Sequence, residues 1–169
     1  MFNIWKTFFN TIFFSNRRTN VIHHLMRNRV KSDSMISVKD YMEKQKIVYF
    51  ISGHGDVTSD EFKSHYAFKI DIALKKGDCK FIVGDFRGLD AMAQKYLKDK
   101  NANVTVYHMF KSPMNNIGIH STKGGFKDDK SRDSTMTKDS DFDIAWVREG
   151  KEHSGTAKNL KRRISLEGV

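Results

Sequence analysis

At 169 residues, with 30 lysines and arginines against 20 aspartates and glutamates, the chain is one domain by length and carries a formal net charge of +10. It can bury a core without covalent staples, and its one cysteine excludes an internal disulfide framework. The charge favours anionic partners (nucleotides, phosphates, nucleic acid or a membrane surface) and does not choose among them.

Residues 1–45 differ from the rest. From Met1 to Ser32 there is no acidic residue, while Lys6, Arg17, Arg18, Arg27, Arg29 and Lys31 are present. Phe2, Ile4, Trp5, Phe8, Phe9, Ile12, Phe13 and Phe14 are spaced to form one broad apolar helical face. The run is too short for a transmembrane helix, which needs ~20 apolar residues, and has no small-residue cleavage site. It reads as a basic N-terminal extension, either loose or helical. Membrane contact through residues 1–30 and organelle targeting remain open. Ser37 to Lys44 has the pattern of a short polar helix.

The domain proper, 46–169, begins with the apolar run Ile47 to Ile51, as expected of a strand buried on both faces. Ser52-Gly53-His54-Gly55 makes a small-residue turn, with His54 expected to be exposed in it. Thr58 with Glu61 three residues on forms a capping box. Phe62, Tyr66, Ile70, Ala73 and Leu74 recur at helical spacing until Gly77 ends the helix. A second strand, Cys79 to Val83, holds the cysteine as a buried, inert thiol. The turn Gly84-Asp85-Phe86-Arg87-Gly88 follows, then a helix with Leu89, Met92, Ala93, Tyr96 and Leu97 on one side. Val104 to Met109 is a third strand. A long polar segment from Lys111 to about Asp129 shows no element of its own, and such loops are usually lids or disordered. Lys130 to Lys138 suits a short, mostly solvent-facing helix with Met136 as its apolar contact. Phe142 to Val147 is a fourth strand, and Ser154-Gly155-Thr156 opens the last helix. Alternating strands and helices predict an α/β, Rossmann-like three-layer sandwich with a mostly parallel sheet of at least four strands. If the first strand is central, the loops after strands one, two and four share the carboxyl edge, where such sheets bind ligands.

Three loops carry the candidate chemistry. Ser52, Gly53, His54 and Gly55 have the shape of a phosphate or ribose turn, but the turn is neither a Walker loop nor a dinucleotide fingerprint. In the second loop Gly84 and Gly88 flank Asp85, a candidate for ribose hydroxyls, and Arg87, a candidate for phosphate. The bland alternative is an Asp85–Arg87 pair, or a cap, that only shapes the turn; Asp90 suits the cap role. Ser154, Gly155 and Thr156 offer hydroxyls and helix-end amides to an anion, or simply an N-cap. Asp139, Asp141 and Asp143 are expected to face solvent. The histidines and the cysteine show no metal-ligand spacing, and no metal or cofactor is expected.

Taken together, residues 46 to 166 resemble the Rossmann-like SLOG superfamily. That group includes the YspA-like proteins, the LOG nucleotide hydrolases and the DprA core, and is related to nucleoside 2-deoxyribosyltransferases. The resemblance rests on Ser52-Gly53-His54-Gly55, on Gly84 through Ala93, on Arg132-Asp133 through Met136 to Ser140-Asp141, on Phe142 to Trp146, and on Ser154-Gly155-Thr156. The Gly-Asp-x-Arg-Gly-x-Asp segment is most similar to the YspA-like branch. The resemblance implies a nucleotide-type pocket, and pairing of copies through helices is common among such relatives. Some relatives act at an N-glycosidic bond with a glutamate three residues after the Gly-Thr turn. Here that position is Asn159, and an amide supplies no negative charge to a developing oxocarbenium ion. The expectation is therefore an intracellular, cytoplasmic protein that binds a nucleotide-like small molecule. A hydrolase using Asp85 as its carboxylate is the alternative, and a nucleic-acid-binding protein comes third.

Overall fold

The computed structural model describes residues 46–168; the amphipathic stretch at 1–14 and the helix read over Ser37 to Lys44 lie outside the described residues. Five strands form a single sheet in the order β4-β3-β2-β1-β5. They are β1 (Ile47–Ser52), β2 (Cys79–Val83), β3 (Asn103–Tyr107), β4 (Ser121–Lys123) and β5 (Phe142–Ala145), and every pairing is parallel. Among the described residues there are four helices, three of them between strands and the last following β5. Helix α1 covers 59–75 in three segments: Ser59–Phe62, a π-helical turn Lys63–Ala67, and Phe68–Lys75. The others are α2 (Leu89–Asp99), α3 (Asp129–Lys138) and α4 (Gly155–Glu167).

Local sequence explains most of these boundaries. Thr58 and Glu61 close the capping box: the Thr58 hydroxyl accepts from the Glu61 amide at 3.2 Å, and the Glu61 carboxylate accepts from the Thr58 amide at 2.9 Å. Asp128 and Ser131 do the same for α3, and Ser154 caps α4. The apolar run of β1 is flanked on both sides, by β2 in register Ile51 with Val83 and by β5 in register Ser52 with Ala145.

Strand alternation divides the core into two layers. On one face Tyr49, Ile51, Phe81, Val83, Val104, Val106 and Ile144 meet Phe62, Tyr66 and Ile70 of α1 and Leu89, Ala93 and Leu97 of α2. Cys79 lies in this layer and its burial raises the thiol pKa, as suits an inert residue. On the other face Phe50, Ile82 and Tyr107 meet Met136 of α3. Among the described residues, this face beyond α3 forms a concave surface of about 550 Å³ floored by Ile82, Thr105 and Tyr107.

Two expectations are corrected here. The segment after β3 is not structureless. It contains β4, whose Ser121 pairs with Thr105, and the loop before β4 is bonded to Asp85 of the β2–α2 turn and to Gln94 of α2. A three-residue strand of polar residues gives no hydrophobic period to read. Nor does Asp143 face solvent. It points under α4, where its side chain is 4% exposed and Arg163 donates to it at 2.9 Å. Asp139 accepts from the Tyr107 hydroxyl and from Lys123, and Asp141 accepts from the Val48 amide.

Candidate functional site

The chain leaves β1 toward β2, β3 and β4, then returns to place β5 on the other side of β1. That reversal is the topological switch point, and the loops after β1, β2 and β5 all emerge at its carboxyl edge. The first two interlock. Gly88 has φ +70, and a Cβ there would lie 2.4 Å from the Gly55 backbone. A Cβ on Gly53 would lie 2.2 Å from Leu89 and 2.4 Å from the Tyr66 hydroxyl. The Leu89 amide donates to the His54 carbonyl at 3.2 Å, fastening one turn to the other. Close backbone approach therefore dictates glycine at 88, and the packed Leu89 and Tyr66 side chains leave no space for a Cβ at 53.

His54 is buried, not exposed. Its Nε2 accepts from the Arg148 amide at 3.1 Å, and its ring meets Trp146 edge-on at 6.1 Å. Burial, and then the nearby Arg148 cation, lower its pKa, so the neutral ring that can accept this bond is the favoured form. The Arg148 guanidinium in turn donates to both oxygens of Glu61, at 3.0 and 2.8 Å, and to Asp56 at 3.0 Å. The β5 loop is thus tied to the start of α1. The π-helical turn of α1 adds further ties. The Tyr66 hydroxyl lies 3.3 Å from the carbonyls of Ser52 and Trp146, and His65 stacks on Trp146 with ring centroids 3.9 Å apart. Such turns are frequent at functional sites.

Asp85 is 1% exposed. Its Oδ2 accepts from the Met114 amide at 2.9 Å, its carbonyl accepts from Asn115 at 2.9 Å, and its Oδ1 lies 3.6 Å from Arg132 Nη1. The turn's own Arg87 is not its partner: Arg87 is exposed, with its guanidinium 5.6 Å from the Phe86 ring centroid. Arg132 sits among Asp85, Asp129 and Asp133, the latter two at 2.9 and 3.0 Å. Asp90 accepts from the Phe86 amide at 3.1 Å and packs against Gly84; burial pushes its pKa up to about 7.

At the start of α4, Ser154 Oγ accepts from the Ala157 amide at 3.3 Å. That leaves the Gly155 and Thr156 amides among the helix-end donors with no intrahelical acceptor. Thr156 and Asn159 are buried, and Asn159 Oδ1 accepts from Arg162 at 2.7 Å. Arg162 also reaches Thr137 at 3.4 Å, which joins α4 to the helix carrying Arg132.

The fold therefore gathers Ser52, Gly53, His54, Gly55, Gly84, Asp85 and Gly88 into one interlocked pair of turns. It sets Ser154, Gly155, Thr156 and Asn159 at the same edge of the sheet and turns Arg87 outward. Among the described residues, two side-chain oxygens at this edge are buried with no hydrogen-bond partner: Ser52 Oγ, at the end of β1, and Asp85 Oδ1, two residues past the end of β2. Four contributors were not among the candidate site residues, although Arg132 and Trp146 lie in segments that carry the resemblance. Gln94 and Arg132 lie on helices where a polar residue off the apolar stripe reads as solvent-facing, and Trp146 and Tyr66 read as core. Besides that resemblance, Arg132 carried a signal of its own in its acidic flank, Asp129 with Asp133. Among the described residues no group of three or more His, Cys, Asp or Glu is arranged to hold a metal ion. No helix there is long and apolar enough to cross a membrane. No protein-family model, curated protein or solved structure matches the chain.

Proposed function

We propose that the carboxyl edge of the sheet binds a nucleotide or nucleotide-derived small molecule and that the protein acts as a binding or sensing protein. The observation that carries this reading is that two buried oxygens, Ser52 Oγ at the end of β1 and Asp85 Oδ1 just past β2, make no hydrogen bond among the described residues, Asp85 Oδ1 having only the Arg132 guanidinium at 3.6 Å. Buried polar groups are nearly always bonded, and one left open costs about 1–3 kcal/mol. Ribose and base edges supply the donors and acceptors that these atoms lack. The amides opening α4 and the guanidinium of Arg132 suit the phosphate of such a ligand.

A hydrolytic reading requires a carboxylate free to act as base or nucleophile at the ligand. Asp85 already has one oxygen bonded to the Met114 amide and the other facing the Arg132 guanidinium, which suits a hydrogen-bonding role more than that of a base or nucleophile, and Asn159 contributes no charge, so binding is the better supported reading. Both are tested by incubating the full chain with a panel of nucleoside monophosphates, following thermal shift and free-base release together. The expected result is stabilisation by at least one nucleotide without base release. Base release abolished by Asp85→Asn would replace the proposal with the hydrolase. Salt-sensitive DNA binding, with no response to any nucleotide, would replace it with a nucleic-acid-binding protein.

A further inference from the structure

We propose that the loop over residues 108–120 docks on an anionic lipid surface. The first observation is charge. Between Asp99 and Asp128 the chain has no acidic residue, and Lys100, Lys111, Lys123 and Lys127 fall in that interval. Lys100 and Lys123 are paired with Asp71 and Asp139 at 3.2 and 2.6 Å. Lys111 and Lys127 make no ion pair among the described residues, nor does Arg87 of the adjoining turn.

The second observation is apolar exposure on the same loop. Phe110 is 58% exposed, Met114 49%, Ile117 41% and Ile119 91%, and Phe86, on the turn bonded to this loop, is 46% exposed. A loop built only to connect two strands has no need of four such side chains.

The loop is also held in shape. The amides of Met114 and Ile117 donate to Asp85 and Gln94 at 2.9 and 3.0 Å, and Asn116 exchanges two hydrogen bonds of 2.8 Å with the backbone of His120. This frame fixes Ile119 at φ +51. A β-branched residue is strained in the left-handed region, where glycine or asparagine fits easily. Ile119 thus costs the fold twice, by strain and by exposure, and at 91% exposure it gains almost no packing in return. Strain of this kind is retained where the side chain serves something outside the fold.

The chemistry of the loop selects the partner. A two-fold contact between copies of the chain would bring an acid-free cationic surface against itself. A bilayer rich in anionic headgroups supplies the missing negative charge, and its interface takes up isolated apolar side chains.

The test uses the full chain and vesicles of phosphatidylcholine with or without about one third phosphatidylserine. The protein is expected to float with the anionic vesicles only, and less at raised salt. Residues 1–14 are themselves aromatic and basic, so flotation alone does not locate the contact, and the decisive readings are position-specific. In Phe110→Trp, the emission left after subtracting that of native Trp5 and Trp146 is expected to shift to the blue on anionic vesicles. The double variant Ile117→Ser with Ile119→Asn is expected to keep its Tm, since asparagine tolerates the backbone at 119, and to bind about tenfold more weakly. An unshifted Phe110→Trp emission, or undiminished flotation of the double variant, would overturn the proposal. Concentration-dependent self-association that the double variant abolishes, with no effect on vesicle binding, would assign the loop to a second copy and overturn it as well.

Discussion

Asp90 occupies a place that disfavours its charge. Its carboxylate lies against the backbone of Gly84, where even a Cβ would approach Oδ2 to 2.3 Å, and its bonded donor is the Phe86 amide. Burial raises its pKa from an ordinary 3.8 to about 7, with Asp133 and Asp85 adding to the rise and Arg132 opposing it. A carboxyl raised in the folded state contributes most to stability below the unfolded value, and that contribution is lost as pH rises through about 7. His54 has the opposite sign: its pKa is lowered, so its contribution is present above 6.5 and is lost as pH falls. A single stability–pH curve therefore mixes the two, and a comparison of variants separates them. Asp90→Asn keeps an acceptor for the Phe86 amide and removes the charge. We expect it to be more stable than the parent at pH 8 by roughly 1–3 kcal/mol, and by less than half as much at pH 5. Urea denaturation at the two pH values measures this, and a gap independent of pH would mean an ordinary carboxylate.

The loop before β4 depends on one side chain of α2. Gln94 is wholly buried; its Nε2 donates to the carbonyls of Gly84 and Asn115 at 2.9 and 3.2 Å, and its Oε1 accepts from the Ile117 amide at 3.0 Å. Gln94→Leu keeps the volume and strands all three backbone groups. Hydrogen exchange at the Ile117 amide is expected to quicken at least tenfold, corresponding to about 1.4 kcal/mol or more, while the β1 and β2 amides keep their protection. Unchanged exchange at Ile117 would show that the loop is held by Asp85 and Asn116 alone. The same element marks how far sequence could be read. Helix α1 was legible because its cap is local, Thr58 with Glu61, β1 because its apolar run is continuous, and β2 because its run is broken only by Lys80. The glycine turns were legible because close backbone approach admits little else. The partner of Asp85 was not, since Met114 and Arg132 come from distant segments, and His54 is buried by a residue 94 positions away. Long-range polar contacts have no period, so composition and spacing leave them unread.

Across the described residues, the sheet and its helices bond their buried polar side chains, and the two exceptions fall at the carboxyl edge of the sheet. Tyr66 spans the ends of β1 and β5, Arg148 ties the β5 loop to α1, and Arg163 offsets the buried Asp143. Yet Ser52, beside these contacts at the switch point, keeps a buried hydroxyl with no partner. A fold selected for stability alone would place alanine there, because the hydroxyl gives up its hydration and receives nothing in exchange. Ser52→Ala should therefore raise the stability of the free protein by about 1 kcal/mol while reducing the thermal shift induced by the best nucleotide of the panel. The two signs together are the informative result. A hydroxyl that supports the fold would give a loss of stability, and one with no role at all would give the gain with the nucleotide response intact. Only a hydroxyl reserved for a ligand gives the gain and the loss at once, and melting curves of the two proteins, with and without nucleotide, distinguish the three.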